Sequence, residues 1–341
     1  MTDYENWRLY TGTSRILDPE ERDRRWPPAP RWRTFAGGPD EPPPPDDDPD
    51  GERRLGRQVI SDNTDERIVD LVNVALRLRR PLLVVGRPGS GRSSLAYRIA
   101  RELGLGRVLR WPLSTQSSLR AGLYDFDAIG LVRAANRRSS DGPAGADIGD
   151  HVRLGPVGTA LLPYRLPRVL LIDELDQSDI ELPQQLRAIF EDGGFDIPEL
   201  VRAAGYAPEV TVHTADPGRT AVVRSGQVTC HEFPLIVMTC AEERDFPLAF
   251  LRHCLRLRMP EADRASLGDM IAAHFPDDAQ GSTEIVEAYL RRRGDWDAPA
   301  IDQLLDAVHL RASDDVPAGH QPEWERIIEA LWHRLPPAEP Q

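Results

Sequence analysis

The segment Pro81-Leu-Leu-Val-Val-Gly-Arg-Pro-Gly-Ser-Gly-Arg-Ser-Ser94 places an apolar run, a glycine-rich turn and a helix start in that order. Leu82 to Val85 is too short for a helix and is partly β-branched, so it predicts a buried strand. Gly86, Pro88, Gly89 and Gly91 then break the chain, and Ser93, Ser94, Leu95, Ala96 and Ile99 begin a helical pattern. A strand, a glycine-rich loop and a helix N-terminus make the context of a phosphate-binding loop. Glycines let backbone amides wrap phosphate oxygens, and the helix end adds open donors and a favourable dipole. The candidate cradle is Gly86, Arg87, Pro88, Gly89, Ser90, Gly91, Arg92, Ser93 and Ser94. Its spacing fits Gly-x-x-x-x-Gly-Lys-[Ser/Thr], with Arg92 in the lysine position and Ser93 where a Mg²⁺ ligand stands.

About 80 residues further on, Arg168-Val-Leu-Leu-Ile-Asp-Glu-Leu-Asp176 reads as a second buried strand, Val169 to Ile172, ending in Asp173 and Glu174. In a parallel α/β sheet, ligands bind at the carboxyl ends of strands. A carboxylate there holds Mg²⁺ directly or through water, and its acidic neighbour orients and deprotonates an attacking water. The phosphate loop and the acidic strand end together outline a nucleotide site.

The 341 residues suffice for two compact units and a tail, and 40% apolar with 28% charged residues is ordinary for a soluble protein. A cytoplasmic location is expected, because no long uncharged apolar run and no basic-then-apolar leader is visible. Cys230, Cys240 and Cys254 lack metal-ligand spacing and are expected to be small buried hydrophobes. A net charge of −13 argues against generic nucleic-acid binding. All 42 basic residues are arginine. GC-rich coding would produce that bias, as would exclusion of lysine to avoid a lysine-directed modification. Arg92 belongs to the same trend.

Residues 1–57 read as an arm rather than a folded domain. Pro42 to Pro45 and the aspartates after them predict an extended, solvated stretch. Tyr4, Trp7, Tyr10, Trp26, Trp32 and Phe35 suit either an arm that docks on the body, a neighbouring subunit or a partner, or a loose tail with incidental aromatics. A helix is expected from Asn63 to Arg80, a strand over Val108 to Leu113, and an exposed insertion over Ser139 to Asp147. A helix around Leu182 to Glu191, a hairpin from Glu209 to Thr229 turning at Asp216-Pro-Gly218, and strands at Leu235 to Thr239 and Leu255 to Met259 follow. A short helix, Leu248 to Cys254, precedes the last strand. Beyond Pro260 the pattern is helical: Ala262 to His274, Thr283 to Arg293, Pro299 to Leu310 and Pro322 to Leu335.

Taken in order, these segments resemble an AAA+ ATPase, and most of all its MoxR branch, from about Gly56 to Arg334. Gly86 to Ser93 matches Walker A and Val169 to Glu174 matches Walker B. Thr239 to Pro247 stands where the family has its sensor-1 strand end, and Ala249-Phe-Leu-Arg-His-Cys254 resembles the segment carrying an arginine finger. The resemblance implies an α/β fold: a five-stranded parallel P-loop sheet with flanking helices over 58–260, then an all-α lid over 261–341. It also implies ATP in the crevice and a ring, often hexameric, in which a neighbour's arginine completes each site. Amides of Gly89 to Ser93 would cradle the β-phosphate and Arg92 would neutralise the γ-phosphate. Ser93 and Asp173 would serve Mg²⁺, and Glu174 would activate water. The sequence departs from the family at two places besides Arg92. Ala241 stands where sensor 1 presents asparagine, with Thr239 the nearest polar substitute. The finger position falls on His253, with Arg252 beside it. Arg291, Arg292 and Arg293 are candidates for sensor 2 by location, or else the solvated basic end of a helix.

Two functions follow from this reading. One is a chaperone-like ATPase, weak or partner-dependent, that remodels a client such as a protein with a von Willebrand factor A domain. The other is a nucleotide-stabilised scaffold or regulatory subunit with little hydrolysis. A small-molecule kinase would need an acceptor pocket in place of the helical lid.

Overall fold

Three apolar runs and two shorter alternating segments become the five strands of one parallel sheet: Leu82–Val85, Leu109–Pro112, Val169–Asp173, Leu235–Cys240 and Leu255–Arg258. Across the sheet they run Leu255–Arg258, Leu82–Val85, Leu235–Cys240, Val169–Asp173 and Leu109–Pro112. The computed structural model describes residues 7–39, 41–61, 65–87, 89–138, 148–241, 245–276, 282–292, 300–312, 326–328 and 330–332. Both faces of the sheet are covered, which is why the three inner strands show no polar alternation in sequence, whereas the edge strands Leu109–Pro112 and Leu255–Arg258 carry arginines. Leu82, Val84, Val169, Leu171, Leu235 and Val237 enter one core, while Leu83, Leu170, Ile172, Ile236 and Met238 enter the other.

Helices Glu66–Leu78 and Arg92–Leu103 close the first face with Ile68, Val72, Leu76, Leu95, Ile99 and Leu103. The second face is closed by helix Leu182–Asp192 and by a six-stranded sheet in the order Tyr124–Phe126, Val152–Leu154, Glu209–His213, Thr220–Arg224, Gln227–Thr229, Gly194–Asp196. The expected hairpin is present, with Glu209–His213 antiparallel to Thr220–Arg224. Its return strand is divided by a turn at Ser225 and Gly226, both at positive φ. The three-residue strands around it were not predicted, because so short a run shows no period. Residues 139–147, expected as an exposed insertion, lie outside the described residues, as do Asn63 and Tyr4.

The N-terminal segment is partly helical, which its composition did not show. It holds the helices Pro19–Arg25 and Pro49–Leu55, each opened by proline and capped by an aspartate, Asp18 and Asp48. It docks on the body of its own chain. Leu9 and Tyr10 are buried beside the helix Glu66–Leu78, where the Asn73 amide accepts from both their backbone N–H groups and donates to the Tyr10 carbonyl. Arg77 lies over the Trp7 ring, Arg79 over Trp26, and Phe35 packs on Phe233, whereas Trp32 is exposed.

Helices Arg264–His274, Thr283–Arg292 and Ile301–Ala312 pack around a third core of Leu267, Ile271, Ile285, Tyr289 and Leu304. Of the helix expected over Pro322 to Leu335, residues 326–328 and 330–331 are described and helical, and Ile328 and Trp332 join this core. The expected architecture, a five-stranded parallel sheet with flanking helices followed by a helical C-terminal part, is therefore what the chain forms. Among the described residues no helix is long and apolar enough to cross a membrane.

Candidate functional site

Strand periodicity assembles the site. Val169 and Leu171 face the helix Arg92–Leu103, so Asp173, two residues on, faces it as well. By the same count Leu235 and Val237 bring Thr239 to that face, next to Asp173 on the neighbouring strand. Ser93 stands in the first turn of the helix opposite. Its hydroxyl donates to Asp173 Oδ1 at 2.6 Å, and the Thr239 hydroxyl donates to the same oxygen at 2.8 Å. Burial opposes ionisation of Asp173, but the donors from Ser93, Arg110 and Thr239 outweigh it and hold the carboxyl below the usual value.

Glu174 is exposed and sits at φ 63°, ψ 54°, in left-handed backbone space. Its amide donates to Thr239 Oγ1 at 2.9 Å and its carbonyl accepts from the Gln177 amide at 2.9 Å. A non-glycine residue held there costs about 1–3 kcal/mol and marks functional ground. The strand end thus aims one carboxylate at the helix and turns the next out to solvent.

The loop between strand and helix depends on glycine at Gly89 (φ +76°) and Gly91 (φ +82°), where a side chain would be strained. No side chain caps the helix Arg92–Leu103, which leaves its first-turn amides facing the loop. Gly86 donates to the Cys240 carbonyl at 3.4 Å, and the Ser90 amide closes a turn onto Arg87 at 3.2 Å. Arg87 itself reaches outward to Glu261 at 3.4 Å. Ser90 Oγ and Arg92 Nη1 are buried with no protein partner. Two unsatisfied polar groups within one glycine-rich loop suit a ligand rich in acceptor oxygens, such as a polyphosphate. Ser94 is half-buried in the first turn, and Pro88 lies outside the described residues.

The remaining candidates stand apart. Thr239 is 1% exposed, so its hydroxyl organises the carboxylates from within the sheet. The Ala241 amide donates to Asp176 Oδ1 at 3.1 Å. Arg252 is exposed just after the short helix Leu248–Leu251, while His253 Nε2 lies 3.3 Å from Glu191 Oε1 of the same chain. Burial lowers the His253 pKa against the pull of Glu191, and Arg187, Arg33 and Arg80 lower it further, so the imidazole is neutral at neutral pH. Among the described residues neither Arg252 nor His253 bonds to the Ser93–Asp173–Thr239 group. Arg291 is exposed, Arg292 lies over the Trp332 ring at 5.2 Å, and Arg293 is outside the described residues. The lid meets the phosphate loop elsewhere: a Cβ on Gly89 would stand 3.2 Å from the Ile301 nitrogen and 3.6 Å from Ala300 Cα.

Arg110 was not foreseen as part of the site. Its neighbours Leu109 and Trp111 point into the opposite core, so Arg110 faces the phosphate-loop helix in register with Leu171. From there Nε and Nη2 reach Asp173 Oδ2 at 3.1 and 2.9 Å. The available signal was an arginine flanked by apolar residues within a strand of a doubly covered sheet, where a charge requires a partner.

The site residues present oxygen ligands of the type Mg²⁺ takes, namely the Ser93 hydroxyl and the Asp173 carboxylate. Ser93 keeps its lone pairs free, whereas the Asp173 carboxylate is already engaged by protein donors.

No protein-family profile matches this chain. No curated protein matches it either. Among solved structures, a crystal structure of NtrX from Brucella abortus is similar at 14% identity with a TM-score of 0.41, covering 78% of this chain and 53% of that one. A second crystal structure of that protein, in complex with ADP, is similar at 15% identity with a TM-score of 0.39, covering 78% of this chain and 55% of that one. The chain therefore spans about half the length of these structures.

Proposed function

We propose that this chain is a MoxR-like AAA+ ATPase that binds ATP in the loop Gly86–Ser94 and uses hydrolysis, weak or partner-dependent, to remodel a client protein. The observation that carries the reading is the convergence of Ser93, Asp173, Thr239 and Glu174 at one strand edge, beside a glycine loop with two buried polar groups left over. First-turn amides and Arg92 take the phosphate oxygens. Ser93 would hold Mg²⁺, with Asp173 behind it, and the ion would offset phosphate charge. Glu174 orients and deprotonates the attacking water from its outward-turned position. A ring, hexamer-like, would let the exposed Arg252 serve a neighbour's site, and a cytoplasmic client with a von Willebrand factor A domain fits the same reading.

The scaffold reading is favoured by three features. His253 is drawn towards its neutral form and lies beside Glu191, position 241 is alanine, and among the described residues the C-terminal helices meet Gly89 with Ala300 and Ile301. Steady-state ATP turnover of the purified protein beside Arg92→Lys, with ATP binding checked in both, separates the two. Turnover in the natural protein supports the ATPase. Binding without turnover in either protein, with partner present, supports the scaffold. Absence of nucleotide binding from both defeats both readings.

A further inference from the structure

Asp173 receives four donors. The hydroxyls of Ser93 and Thr239 occupy Oδ1, and Nε and Nη2 of Arg110 occupy Oδ2. A carboxylate offers about four lone-pair positions, so this one is saturated by protein groups. It is also only 6% exposed, and its charge is met by a guanidinium rather than by water. A divalent cation, or a water bound to it, reaches Asp173 only in exchange for one of these donors.

We infer that Arg110 is the resident counter-cation of Asp173, so that a nucleoside polyphosphate is held at the adjoining loop without an obligatory divalent metal. The inference rests on the nucleotide reading above. In a phosphate loop the acidic strand end repels the polyphosphate unless a cation neutralises it. Here the cation is covalently part of the chain. It is fixed by strand register, since Arg110 pairs with Leu171 and Pro112 with Asp173 on adjacent parallel strands. Arginine suits this place better than lysine would, because its planar fork holds a carboxylate through two N–H groups and retains further donors.

The test is titration of the full chain with a fluorescent ADP analogue, once with excess Mg²⁺ and once with EDTA. For the natural protein the two dissociation constants should agree within about threefold, a difference under 1 kcal/mol. Arg110→Ala should bind about tenfold or more weakly in EDTA than with Mg²⁺, the loss expected for a hydrogen-bonded charge. Arg110→Gln keeps a donor near Asp173 and removes only the charge, so it carries the same expectation should the alanine variant fold poorly. A tenfold or greater Mg²⁺ requirement in the natural protein overturns the inference, and so does equal indifference to EDTA in the Arg110 variants. Binding in neither buffer defeats the nucleotide reading itself, a result distinct from binding that demands the metal.

Discussion

Thr239 donates its hydroxyl to Asp173 Oδ1 at 2.8 Å, and its own Oγ1 accepts the Glu174 amide at 2.9 Å. One buried hydroxyl on a neighbouring strand thus sets the direction of both acidic residues. Thr239→Val keeps the shape and removes both bonds, leaving a buried amide and a carboxylate oxygen each short of a partner. The expected cost is about 1–3 kcal/mol in chemical denaturation at neutral pH. Thr239→Ser should retain most of the stability. Equal midpoints for the valine and serine variants would dismiss the hydroxyl as the organising group.

Glu174 stands at φ 63°, a position glycine occupies without strain. Glu174→Gly should therefore leave stability unchanged or raise it by up to about 1 kcal/mol. Glu174→Gln keeps the strained backbone and should melt with the natural protein. Both variants are expected to bind nucleotide and to lose turnover. Turnover equal to that of the natural protein in Glu174→Gln would remove Glu174 from the role of base.

How much of this arrangement is readable from the chain depends on the range of each signal. The strands Leu82–Val85 and Val169–Asp173 are continuous apolar runs bounded by turn residues, and with Ser93 and Asp173 they declare themselves locally. Arg110 does not, because its role depends on Leu109–Pro112 pairing with a strand about 60 residues away in one particular register. The arm is readable in part: its aromatics suit docking, but Pro49 and Asp48 as a helix start and its cap are hidden in a proline- and aspartate-rich composition, and the buried acceptor that fixes Leu9 and Tyr10, Asn73, lies in a distant helix. The second sheet was mostly illegible because Tyr124–Phe126, Val152–Leu154 and Gly194–Asp196 are strands only through their partners.

Arg252 and His253 adjoin in sequence but differ in freedom: Arg252 is exposed, whereas His253 is neutral and held by Glu191. If subunits complete one another's sites, Arg252→Ala should lower assembled turnover by about 10³. ATP affinity of isolated subunits should stay within experimental error. His253→Ala should do neither. The reverse pattern would move the role to His253.

The Asp173 carboxyl titrates below its usual value of 3.8 in the folded chain, so its ionised form favours folding. That contribution is complete at neutral pH and is lost as pH falls through the depressed folded value. Asp173→Asn lacks it. Melting temperatures of the two proteins should therefore differ most near pH 7 and converge as the pH falls below the usual carboxylate range. A gap that stays constant to the acid limit would show that the carboxylate is not stabilised by its donors.

Glu102 lies in the helix that follows the phosphate loop, 2% exposed, and clasps the arm. Its Oε1 accepts from the Thr11 amide at 2.5 Å, the Thr11 hydroxyl at 2.9 Å and the Gly12 amide at 3.1 Å, and its Oε2 accepts from the Ser14 amide at 3.0 Å. Hydrogen bonds to a charged acceptor are worth about 1.5–3 kcal/mol each before losses elsewhere, so Glu102→Ala should open the arm locally. Trypsin reports this directly, because in a lysine-free chain it cleaves only after arginine, and Arg15 sits just past the clasp. Where cleavage follows the open population, the Arg15 cut should speed up by about tenfold or more. Glu102→Gln, which keeps the oxygen that takes three of the donors but presents an NH₂ to Ser14, should fall between. An unchanged rate in the alanine variant would mean that Asn73 and the buried Tyr10 hold the arm without Glu102.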